Sequence, residues 1–559
     1  MAWVNLDRSG RRGRGIGRAR RGVRATGMAV ALAVLAGLCF VVARETGLFF
    51  SSSGGSSANQ WTQQASTNTL ATDPTADLTS GQIAFLRQAA ARTWSFLSGP
   101  DLDPATHLPL DSVDLAGQPG TTVQLAAPTA KVEYTNPSLI GTYLDAIVAA
   151  RDLGLVSASQ AQTDAGATLA EIQQMVKYDG FLFRWYSTAT GDAIATPQGE
   201  TDPYGYVSTV DEGWFAQGLL VCEKAFPALS AQVGELLGAM QWSLLYDQSA
   251  NALYNGYQTG GGYSNSTYTN SYSGPRIAEY MAIGSGQVPG ALWWGLNRTP
   301  PPSRPQQQTP QGQDETYTDP QNKRQYTEFE GHYVYDEIKF VPTLDGSLYQ
   351  ALAPDLVFPE QTMAPLSLGL NDRNSALAMG AYGALTGTPV WGWAPTTKPG
   401  STMHYDNFGA PGLAIQQTGV DDAVASPYAA AMALPVIPTQ AYADLSQMVT
   451  DYPDLYTQYG FLDSVDLAND KIADRFMTVS QLTILMAIDN AVDRDGLQSY
   501  VTGTSYANEL APYMSMEQYS IQGLDTTASP SSAAQPTSTA KKRRSDSRSR
   551  RDRSSAAAA

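Results

Sequence analysis

Cysteine and histidine are scarce in this chain of 559 residues, which contains two cysteines and three histidines. Cys39 lies in an apolar run and Cys222 in a predicted helix, so the sequence offers no disulfide framework and no cysteine-based metal site. His107, His332 and His404 are scattered and lack the paired spacing of a zinc site. The sequence also has no glycine-rich phosphate loop followed by lysine and no nucleophile-elbow string. We therefore expect neither a metal nor a cofactor.

Charged residues make up only 16% of the chain, and the formal net charge of −17 is unevenly placed. Positive charge is concentrated in segments 1–26 and 541–559, so the body between them is strongly acidic. Such a body repels a phosphate backbone, and we expect no nucleic-acid partner. The polar surface must come from uncharged side chains, among them 29 tyrosines. Aromatic rings of this kind can stack on sugars, although a core position is the simpler interpretation of any single one.

The first 43 residues have the pattern of an export signal. Residues 1–26 form a basic leader, and the apolar run 27–43 is at the short end of the length that spans a bilayer as a helix. Because the arginines precede this run, the positive-inside rule places the N-terminus in the cytoplasm. We expect a single-pass anchor in the cell membrane and a main domain that is extracytoplasmic, either periplasmic or extracellular. The alternative is a cleaved signal peptide whose hydrophobic region is the same run.

Composition divides the rest of the chain into a linker, a large domain and a tail. Residues 44–80 are rich in Ser, Thr, Gln and Gly, which predicts a flexible spacer. A folded domain is predicted over residues 81–500, with its edge at 501–524. Residues 525–559 end in a basic string and lack the apolar side chains needed to fold, so we expect a disordered tail.

Apolar residues recur at three- and four-residue spacing along the large domain, which predicts helices. The predicted helices cover residues 83–97, 137–155, 159–176, 211–224, 228–245, 275–284, 372–385, 424–433, 438–449 and 475–493. Strand signals are short and lie near 181–186 and 333–341. Long aromatic loops such as 251–274 join the helices, and loops of this length are usually functional or disordered. Paired helices with such loops predict an (α/α) toroid with a cleft, whereas an α-solenoid needs a repeat of fixed period that we do not find.

A series of strings in fixed order carries a family resemblance. They are THLPLDSV (106–113), EYTNPSLIGTYLDAIVAARDLGL (133–155), GFLFRWYSTATG (180–191), VSTVDEGWFAQGLL (207–220), GPRIAEYMAIGSGQVP (274–289), DGSLYQALAP (345–354), PVWGWAP (389–395), VASPYAAAMAL (424–434) and YGFLDSVD (459–466). On these strings the chain resembles a bacterial family of extracytoplasmic domains of unknown function, related to the glucoamylase-like and endo-β-1,2-glucanase group. The resemblance implies an all-α fold, an (α/α)6 toroid with long loops and a few short strands. It also implies a polysaccharide or oligosaccharide as the partner.

Glycoside hydrolysis needs a protonated carboxyl that assists the leaving oxygen and a carboxylate that attacks or activates water. Asp211 and Glu212 open a predicted helix, where helix capping is the competing role. Successive helix residues point about 100° apart, so only one of this pair is expected to reach the cleft. Asp463 follows a Gly-aromatic turn, and turn chemistry is its competing role. Glu279 is the fourth catalytic candidate, with a solvated surface carboxylate as its alternative.

Two positions depart from the family pattern. Related sequences commonly carry Glu directly before the Pro-Arg of the GPRIAEY string, where this chain has Gly274. They also commonly carry Glu in the string that here contains Gln350. Gln keeps the shape and hydrogen bonds of Glu but cannot donate a strong-acid proton. The candidate replacements are Glu279, about one helical turn beyond Gly274, and Glu328, Glu330 and Asp345, with a solvated surface charge as the competing role of all four.

Sugar-binding candidates are an arginine clamp, aromatic rings and amides in the matched strings or close to them. They are Arg276, Trp293, Trp294, Trp391, Trp393, Tyr134, Tyr186, Asn136 and Gln350. Taken singly, each of them also fits a core or salt-bridge role. We expect a membrane-tethered glycoside hydrolase-like protein that acts on a polysaccharide through a carboxyl pair without a cofactor. The alternative is a catalytically silent glycan-binding or scaffold protein in exopolysaccharide or cell-envelope handling, which Gly274 and Gln350 favour.

Overall fold

Helices joined by loops and very short strands make up most of the protein. A computed structural model describes residues 57–527, apart from positions 72, 118–119, 121, 127–130, 196, 198–202, 300–307, 401–403, 417–422 and 495. The α-helices of the described part are, in chain order, α1 (Ser57–Ala65), α2 (Ser80–Leu97), α3 (Pro137–Asp152), α4 (Ala158–Gln174), α5 (Thr209–Ala225), α6 (Ser230–Ala239), α7 (Arg276–Gly284), α8 (Leu348–Leu352), α9 (Glu360–Met363), α10 (Leu368–Thr386), α11 (Pro427–Met432), α12 (Pro438–Asp451), α13 (Thr478–Val492), α14 (Gln498–Val501) and α15 (Ser505–Met514).

The strands pair antiparallel in small sheets of two or three. In chain order they are β1 (Ser112–Asp114), β2 (Lys131–Val132), β3 (Tyr134–Thr135), β4 (Lys177–Tyr178), β5 (Phe181–Leu182), β6 (Tyr186–Ser187), β7 (Tyr206–Ser208), β8 (Tyr246–Asp247), β9 (Ala252–Leu253), β10 (Gly256–Gln258), β11 (Gly262–Tyr263), β12 (Gln311–Thr318), β13 (Gln325–Tyr335), β14 (Ile338–Phe340), β15 (Thr396–Thr397), β16 (Tyr405–Asp406), β17 (Val424–Ala425), β18 (Tyr456–Thr457), β19 (Gly460–Phe461), β20 (Val465–Asp466), β21 (Lys471–Ile472) and β22 (Arg475–Met477). The hairpin of β12 and β13 is much longer than the other pairs, and in it Thr318 pairs with Gln325.

Six helices are buried on nearly every side and form the centre of the described unit. These core helices are α3, α5, α7, α8, α11 and α13. Their sequences explain the burial, because apolar and small residues occur on all faces rather than in one stripe, as expected of a helix inside a large core. In α13, for example, every residue except Val479 is buried.

The core helices neighbour one another in a closed order. α3 packs against α5 and α13, α5 packs against α7, and α11 packs against α13 and α8. The remaining contact in this closed order, between α7 and α8, is formed by Arg276. Its guanidinium donates hydrogen bonds to the carbonyl oxygens of Gln350 at 2.9 Å and Ala351 at 2.6 Å.

Each core helix has an outer helix packed against it. The pairs are α2 with α13, α4 with α3, α6 with α5, α15 with α7, α10 with α8 and α12 with α11. In α4 the buried positions Ala161, Ala165, Leu169 and Ile172 recur every three or four residues, so one face meets the core and the other meets solvent. α10 is covered more completely, because the Trp61 ring of α1 lies over it.

Two glycines allow α3 and α5 to touch. A Cβ on Gly218 would lie 2.1 Å from the carbonyl oxygen of Gly141, and a Cβ on Gly141 would lie 2.3 Å from the carbonyl oxygen of Trp214. Distances this short leave no room for even a methyl group in a close-packed interior. The approach of these two core helices therefore depends on residues without side chains.

The predicted helical fold is confirmed, since all ten predicted helices overlap α2–α7 or α10–α13. The helix expected over 228–245 ends early, at Ala239. Strands are more numerous than the few expected, and the β12–β13 hairpin is the largest correction. β12 alternates between polar residues and so lacks the apolar face by which a strand is recognised, whereas the strand signal predicted near 333–341 coincides with the end of β13 and with β14. α15 lies in the segment expected at the domain edge and packs on α7.

The predicted spacer is shorter than expected. Trp61 of α1 is buried and contacts Trp391 edge to face at 6.0 Å, so residues 57–65 belong to the folded unit. Within the described residues, no helix combines the length and apolar character needed to cross a bilayer. The predicted leader and anchor, residues 1–43, and the tail from 528 onwards lie outside the described residues, and those expectations stay predictions.

We expect Gly218→Ala to destabilise the protein, because the added methyl group forces α5 away from the backbone of α3. The free energy of unfolding, followed by urea titration, should fall by about 1–3 kcal/mol, the usual cost of overpacking a core. Gly238→Ala is the matched control, since a Cβ there meets no atom within 4 Å. The control should leave stability unchanged or raise it by up to about 1 kcal/mol. Equal effects of the two substitutions would contradict the helix contact described here.

Candidate functional site

Side chains from the N-terminal halves of several core helices meet at one place. Ser138 and Thr142 of α3, Trp214 of α5, Tyr349 of α8 and Thr483 of α13 line one narrow cavity. Because four core helices contribute their early turns, these turns lie at the same end of the core. The short strand β7 leads directly into α5, so the first turn of that helix is fixed from both sides.

Asp211 lies in the first turn of α5 and is buried. Its Oδ2 lies 3.6 Å from Nε of Arg184. Among the described residues, no hydrogen-bond donor reaches Oδ2. The carboxyl group therefore faces a positive charge and keeps an open acceptor position, which a water molecule or a sugar hydroxyl can fill.

Glu279 lies in the first turn of α7 and is also buried. Burial raises the pKa of its carboxyl to about 8, although the positive charges of Arg276 and Arg298 oppose the shift. Its Oε1 has no hydrogen-bond partner in the described part of the chain. At neutral pH this carboxyl is mostly protonated, which is the state that a general acid requires.

Tyr268 lies within electrostatic range of both carboxyl groups. Burial raises the pKa of its hydroxyl well above the usual range, and Tyr206, Asp211 and Glu279 add to the shift. Asp211 likewise adds to the effect of burial on the pKa of Tyr349, which lines the cavity. Tyr268 therefore lies within electrostatic range of two acids in different environments, and the charge of one of them, Asp211, also reaches the cavity wall at Tyr349.

The two successive acids of α5 have different surroundings. Asp211 faces Arg184, whereas Glu212 interacts with Lys177 and, on β6, with Tyr186. Burial, reinforced by the charge of Asp211, raises the pKa of Glu212 well above its usual range. The divergence of the two side chains follows from the angle of about 100° between successive helix residues. Asp211 is the member of the pair whose charge adds to the raised pKa of Tyr349, which lines the cavity.

Asp463 is held by hydrogen bonds on both carboxyl oxygens. Its Oδ1 accepts from the Ser480 hydroxyl at 2.6 Å. Its Oδ2 accepts from the Thr396 hydroxyl at 2.8 Å and from the Thr397 N–H at 2.6 Å. A carboxyl group with these three donors connects α13 to β15. The structure therefore corrects the expectation of a carboxyl free to act on substrate.

Arg276 is fully occupied inside the protein, which corrects its prediction as a sugar clamp. Its Nε and Nη2 each donate to one oxygen of Glu360 at 2.8 Å. Its Nη1 donates to the carbonyl oxygen of Ser273 at 3.0 Å, in addition to the bonds to α8. With every donor group used and the side chain 1% exposed, Arg276 joins helices instead of binding a ligand.

Three carboxyl groups around this arginine have the spacing of a metal site. Oxygens of Asp355, Glu360 and Asp372 lie within 4.8 Å of one another. Arg276 and the Tyr280 hydroxyl already engage Glu360, so positive charge is present in the cluster. Burial, with the charge of Glu360, also raises the pKa of Asp355 to about 8 and so favours its neutral form. The positive charge of Arg276 and the protonation of Asp355 are sufficient to balance the negative charge of the three carboxyl groups, so we assign no metal to them.

The predicted sugar-stacking tryptophans lie inside the protein, which corrects that prediction. All four are at most 6% exposed and contact internal side chains, in the pairs Trp293–Tyr280, Trp294–Asp319, Trp391–Trp61 and Trp393–Tyr382. Tyr186 is also fully buried, and its hydroxyl accepts from the Phe183 N–H at 2.7 Å. None of these five rings has a face open to a sugar.

Tyr134 keeps a position compatible with ligand contact, whereas Asn136 is fully buried. Tyr134 is half-buried and meets Trp185 edge to face at 5.1 Å. Asn136 caps α3, because its Oδ1 accepts from the Leu139 N–H at 3.0 Å. Its Nδ2 is buried and has no partner among the described residues. That amide group is a spare donor two residues before Ser138 on the cavity wall.

The two positions that depart from the family pattern are neighbours. A Cβ built on Gly274 meets only the Cα of Gln350, at 3.8 Å. Gln350 is buried, and its Nε2 forms no hydrogen bond with the described residues, although Asp345 lies close by. Position 274 therefore has room for the first carbon of a side chain, beside an amide group that lacks a partner.

Sequence reasoning missed Arg184 and Tyr268. A signal for Arg184 is present, because it is a lone arginine in the apolar string FLFRWY (181–186), and a buried arginine requires an acidic partner. Tyr268 offers no such signal, since the 251–274 loop contains many tyrosines with similar neighbours.

The fold is the glucoamylase-like fold. A "putative glucoamylase" from Bacteroides caccae ATCC 43185 superposes with a TM-score of 0.61 at 16% identity, covering 78% of this chain and 99% of that one. An endo-β-1,2-glucanase from Chitinophaga pinensis, in complex with sophorotriose and glucose, superposes with a TM-score of 0.60 at 14% identity, covering 78% and 98%. At these identities the similarity concerns the fold alone.

Family models match most of the same region. Residues 125–298 match a family of unknown function, DUF3131, and residues 314–504 match the family described as "Putative glucoamylase". A cyclic β-(1,2)-glucan synthase, NdvB of Rhizobium meliloti (strain 1021), is 31% identical over 176 residues. That alignment spans 31% of this chain and only 6% of the synthase. The resemblance inferred from the sequence strings is confirmed.

We expect the stability of the protein to decrease as the pH rises from about 4.5 to about 8. Glu279 has a pKa of about 8 in the folded state against an ordinary value of 4.5. The folded state therefore binds more protons than the unfolded state in this window, and each rise in pH favours unfolding. Asp145, whose pKa burial raises to about 8, contributes with the same sign.

Thermal melting between pH 5 and pH 8 measures this dependence. Glu279→Gln should reduce the fall of the melting temperature with pH, because a buried amide does not ionise. Glu235→Gln, at an exposed position, should leave that pH dependence unchanged. A melting temperature that rises across this window would show that the buried carboxyl groups are already ionised.

Proposed function

We propose that the protein is a glycoside hydrolase-like enzyme that acts on a β-1,2-linked glucan, with Asp211 and Glu279 as its carboxyl pair. The observation that carries this proposal is the contrast between the two acids near Tyr268. One is buried with a raised pKa, and the other is buried opposite an arginine. Pairs of carboxyl groups in contrasting environments are typical of glycosidase sites. The choice of glucan rests on the relatives described above.

We further infer that the core helices and their outer partners form an (α/α)6 toroid. The closed order of six core helices, each with one outer helix, supports this architecture. The cavity among their early turns then corresponds to the closed end of a substrate cleft. Ligand sites are common at positions of this kind, between the helices of a bundle.

In the proposed reaction, Glu279 donates its proton to the glycosidic oxygen as the bond to the anomeric carbon breaks. Asp211 acts as the carboxylate, either by taking a proton from the attacking water or by attacking the anomeric carbon directly. The separation of the two groups in the substrate complex decides between these routes, about 6.5–9.5 Å for the first and about 5–5.5 Å for the second. Arg184 positions Asp211.

We also propose that this domain works outside the cytoplasm, held to the cell membrane by the apolar run 27–43. The arginine-rich leader before that run supports the orientation. A polysaccharide substrate in the envelope or outside the cell is consistent with such a location.

We expect Asp211→Asn and Glu279→Gln each to reduce reducing-end release from linear β-1,2-glucan by about 10²–10⁴-fold, the usual contribution of one general acid or base. The substitutions remove proton transfer while nearly keeping the shape of the side chain. Glu235→Gln, at an exposed position of α6, is the matched control and should retain full activity. The same assay on β-1,3- and β-1,4-glucans tests the linkage. Equal activity of wild type and both site variants would refute the carboxyl pair.

A second candidate function is a catalytically silent glycan-binding protein. Gly274 and Gln350 support it, because both positions commonly carry Glu in related sequences and they adjoin each other here. If one of those acids is the general acid of the family, this chain lacks it. Glycan binding without bond cleavage would then be the remaining activity.

Gly274→Glu distinguishes the two candidates. The first carbon of the new side chain fits, since a Cβ at this position has ordinary van der Waals contact with a single atom. If Glu279 is the acid of this chain, we expect Gly274→Glu to change the activity of wild type less than tenfold. If the protein is silent, wild type should release no reducing ends and Gly274→Glu should gain activity. The readout is reducing-end release, with binding to the same glucan measured in parallel.

A further inference from the structure

Four tyrosines form an exposed aromatic surface, the tyrosine platform, which consists of Tyr178, Tyr254, Tyr257 and Tyr263. The rings of Tyr178 and Tyr257 stack at 5.3 Å, and those of Tyr254 and Tyr263 stack at 4.3 Å. Tyr257 and Tyr263 meet edge to face at 5.2 Å, which joins the two stacks. Tyr263 is 47% exposed, and the other three are half-buried.

Exposed apolar and aromatic side chains concentrate around this platform. Six large hydrophobic side chains of the described residues are strongly exposed, namely Val176, Tyr204, Tyr263, Phe329, Leu366 and Leu385. Tyr263 belongs to the platform and Val176 is close to it in sequence. Tyr204 adjoins it, because its carbonyl oxygen accepts a hydrogen bond from the Gln258 side chain at 2.8 Å. A concentration of this kind indicates a binding surface more often than single exposed residues do.

The platform is fixed to the helix that carries Asp211. Tyr257 pairs with Tyr263 across β10 and β11, and with Val207 across β10 and β7. β7 leads directly into α5, and the Thr209 N–H donates to the carbonyl oxygen of Asn255 at 3.1 Å. The platform strand β10 is therefore held against the chain within four residues of Asp211.

The chain also runs from the platform to the second acid. Residues 254–263 carry three of the four platform tyrosines, and the same segment continues to Tyr268. The Tyr268 N–H donates to the carbonyl oxygen of Leu253 at 2.9 Å, which anchors its backbone beside the start of the platform. Tyr268 is the phenol whose pKa responds to both Asp211 and Glu279. The exposed rings and the buried acids thus belong to one continuous structure.

We propose that the tyrosine platform binds the sugar rings of a neutral glucan chain that extends outwards from the Asp211–Glu279 site. Aromatic faces suit the apolar faces of pyranose rings, and phenol hydroxyls suit their edges. Asp179 and Asp247 lie beside Tyr178 and Tyr254, so an anionic chain is disfavoured there. The choice of β-1,2-glucan as probe rests on the proposed function, whereas the platform itself requires only a neutral chain.

Mutual support of the hairpin is the competing role of these rings, because cross-strand aromatic pairs stabilise a sheet. Tyr263→Phe keeps the aromatic face and the stacking with Tyr254, whereas Tyr263→Ala removes both. Leu385→Ala is the matched control, since Leu385 is 54% exposed and lies in α10, outside the platform segments. Thermal melting of each variant separates a loss of folding from a loss of binding.

The test measures dissociation constants of the full chain for linear β-1,2-glucan, β-1,3-glucan, β-1,4-glucan and sophorotriose. Glu279→Gln serves as the background, so that the polymer is not cut during the measurement. We expect Tyr263→Ala to weaken polymer binding roughly threefold to tenfold, the contribution of one aromatic contact. Leu385→Ala should bind the polymer as the background does, and Tyr263→Phe, which keeps the ring but loses the hydroxyl, should lose less affinity than Tyr263→Ala. Sophorotriose bound at the two acids alone should bind all variants equally.

Each outcome decides the proposal. Polymer affinity that is unchanged in Tyr263→Ala overturns the platform, even if hydrolysis depends on Asp211. Absence of binding to every neutral glucan also overturns it. Self-association that is lost in Tyr263→Ala with unchanged glucan affinity assigns the surface to a second copy of the chain. Tyr263-dependent binding in a protein without hydrolytic activity supports the platform and refutes the proposed hydrolase.

Discussion

The buried guanidinium of Arg276 is the interaction on which the order of the core helices depends. It begins α7, donates to two carbonyl oxygens of α8, and forms a two-point ion pair with Glu360 at the start of α9. A buried ion pair is costly to desolvate and becomes favourable only when its hydrogen bonds are complete, which is the case here. Glu279 lies three residues after Arg276 in the first turn of the same helix, and Gln350 supplies one of the carbonyls. The position of the proposed acid therefore depends on how Arg276 is held.

Buried carboxyl groups in this protein fall into two kinds. Asp463 has three hydrogen-bond donors and contributes to the architecture. Asp211 and Glu279 are equally buried, but each has an oxygen without a hydrogen-bond donor among the described residues. An unpaired buried polar atom costs stability, and a fold retains such a cost most readily at a functional site. Glu212, Asp145 and Asp489 share this feature. The proposed pair is therefore chosen by its place in the matched strings and by the electrostatic link of both acids to Tyr268.

The sequence predicted the helices well, because apolar spacing such as that of α3 and α13 is strong and local. It predicted that Asp211 and Glu212 diverge, since helix geometry alone requires it. It did not predict the roles of Arg276, Trp293 and Trp391, because burial of a polar or aromatic side chain depends on partners distant in the chain. β12 and the first half of β13 were missed for a different reason, since their polar residues carry no signal of a buried face, whereas the buried end of β13 lies in the strand predicted near 333–341.

The most direct test of the account is a crystal structure of the Glu279→Gln variant with a bound β-1,2-linked oligosaccharide. We predict that a glycosidic oxygen lies within hydrogen-bond distance of the side chain at position 279, with Asp211 on the opposite side of the same sugar ring. One end of the oligosaccharide should point towards Tyr263. An oligosaccharide bound away from both carboxyl groups, or a site closed to sugar by the early turns of the core helices, would contradict the account.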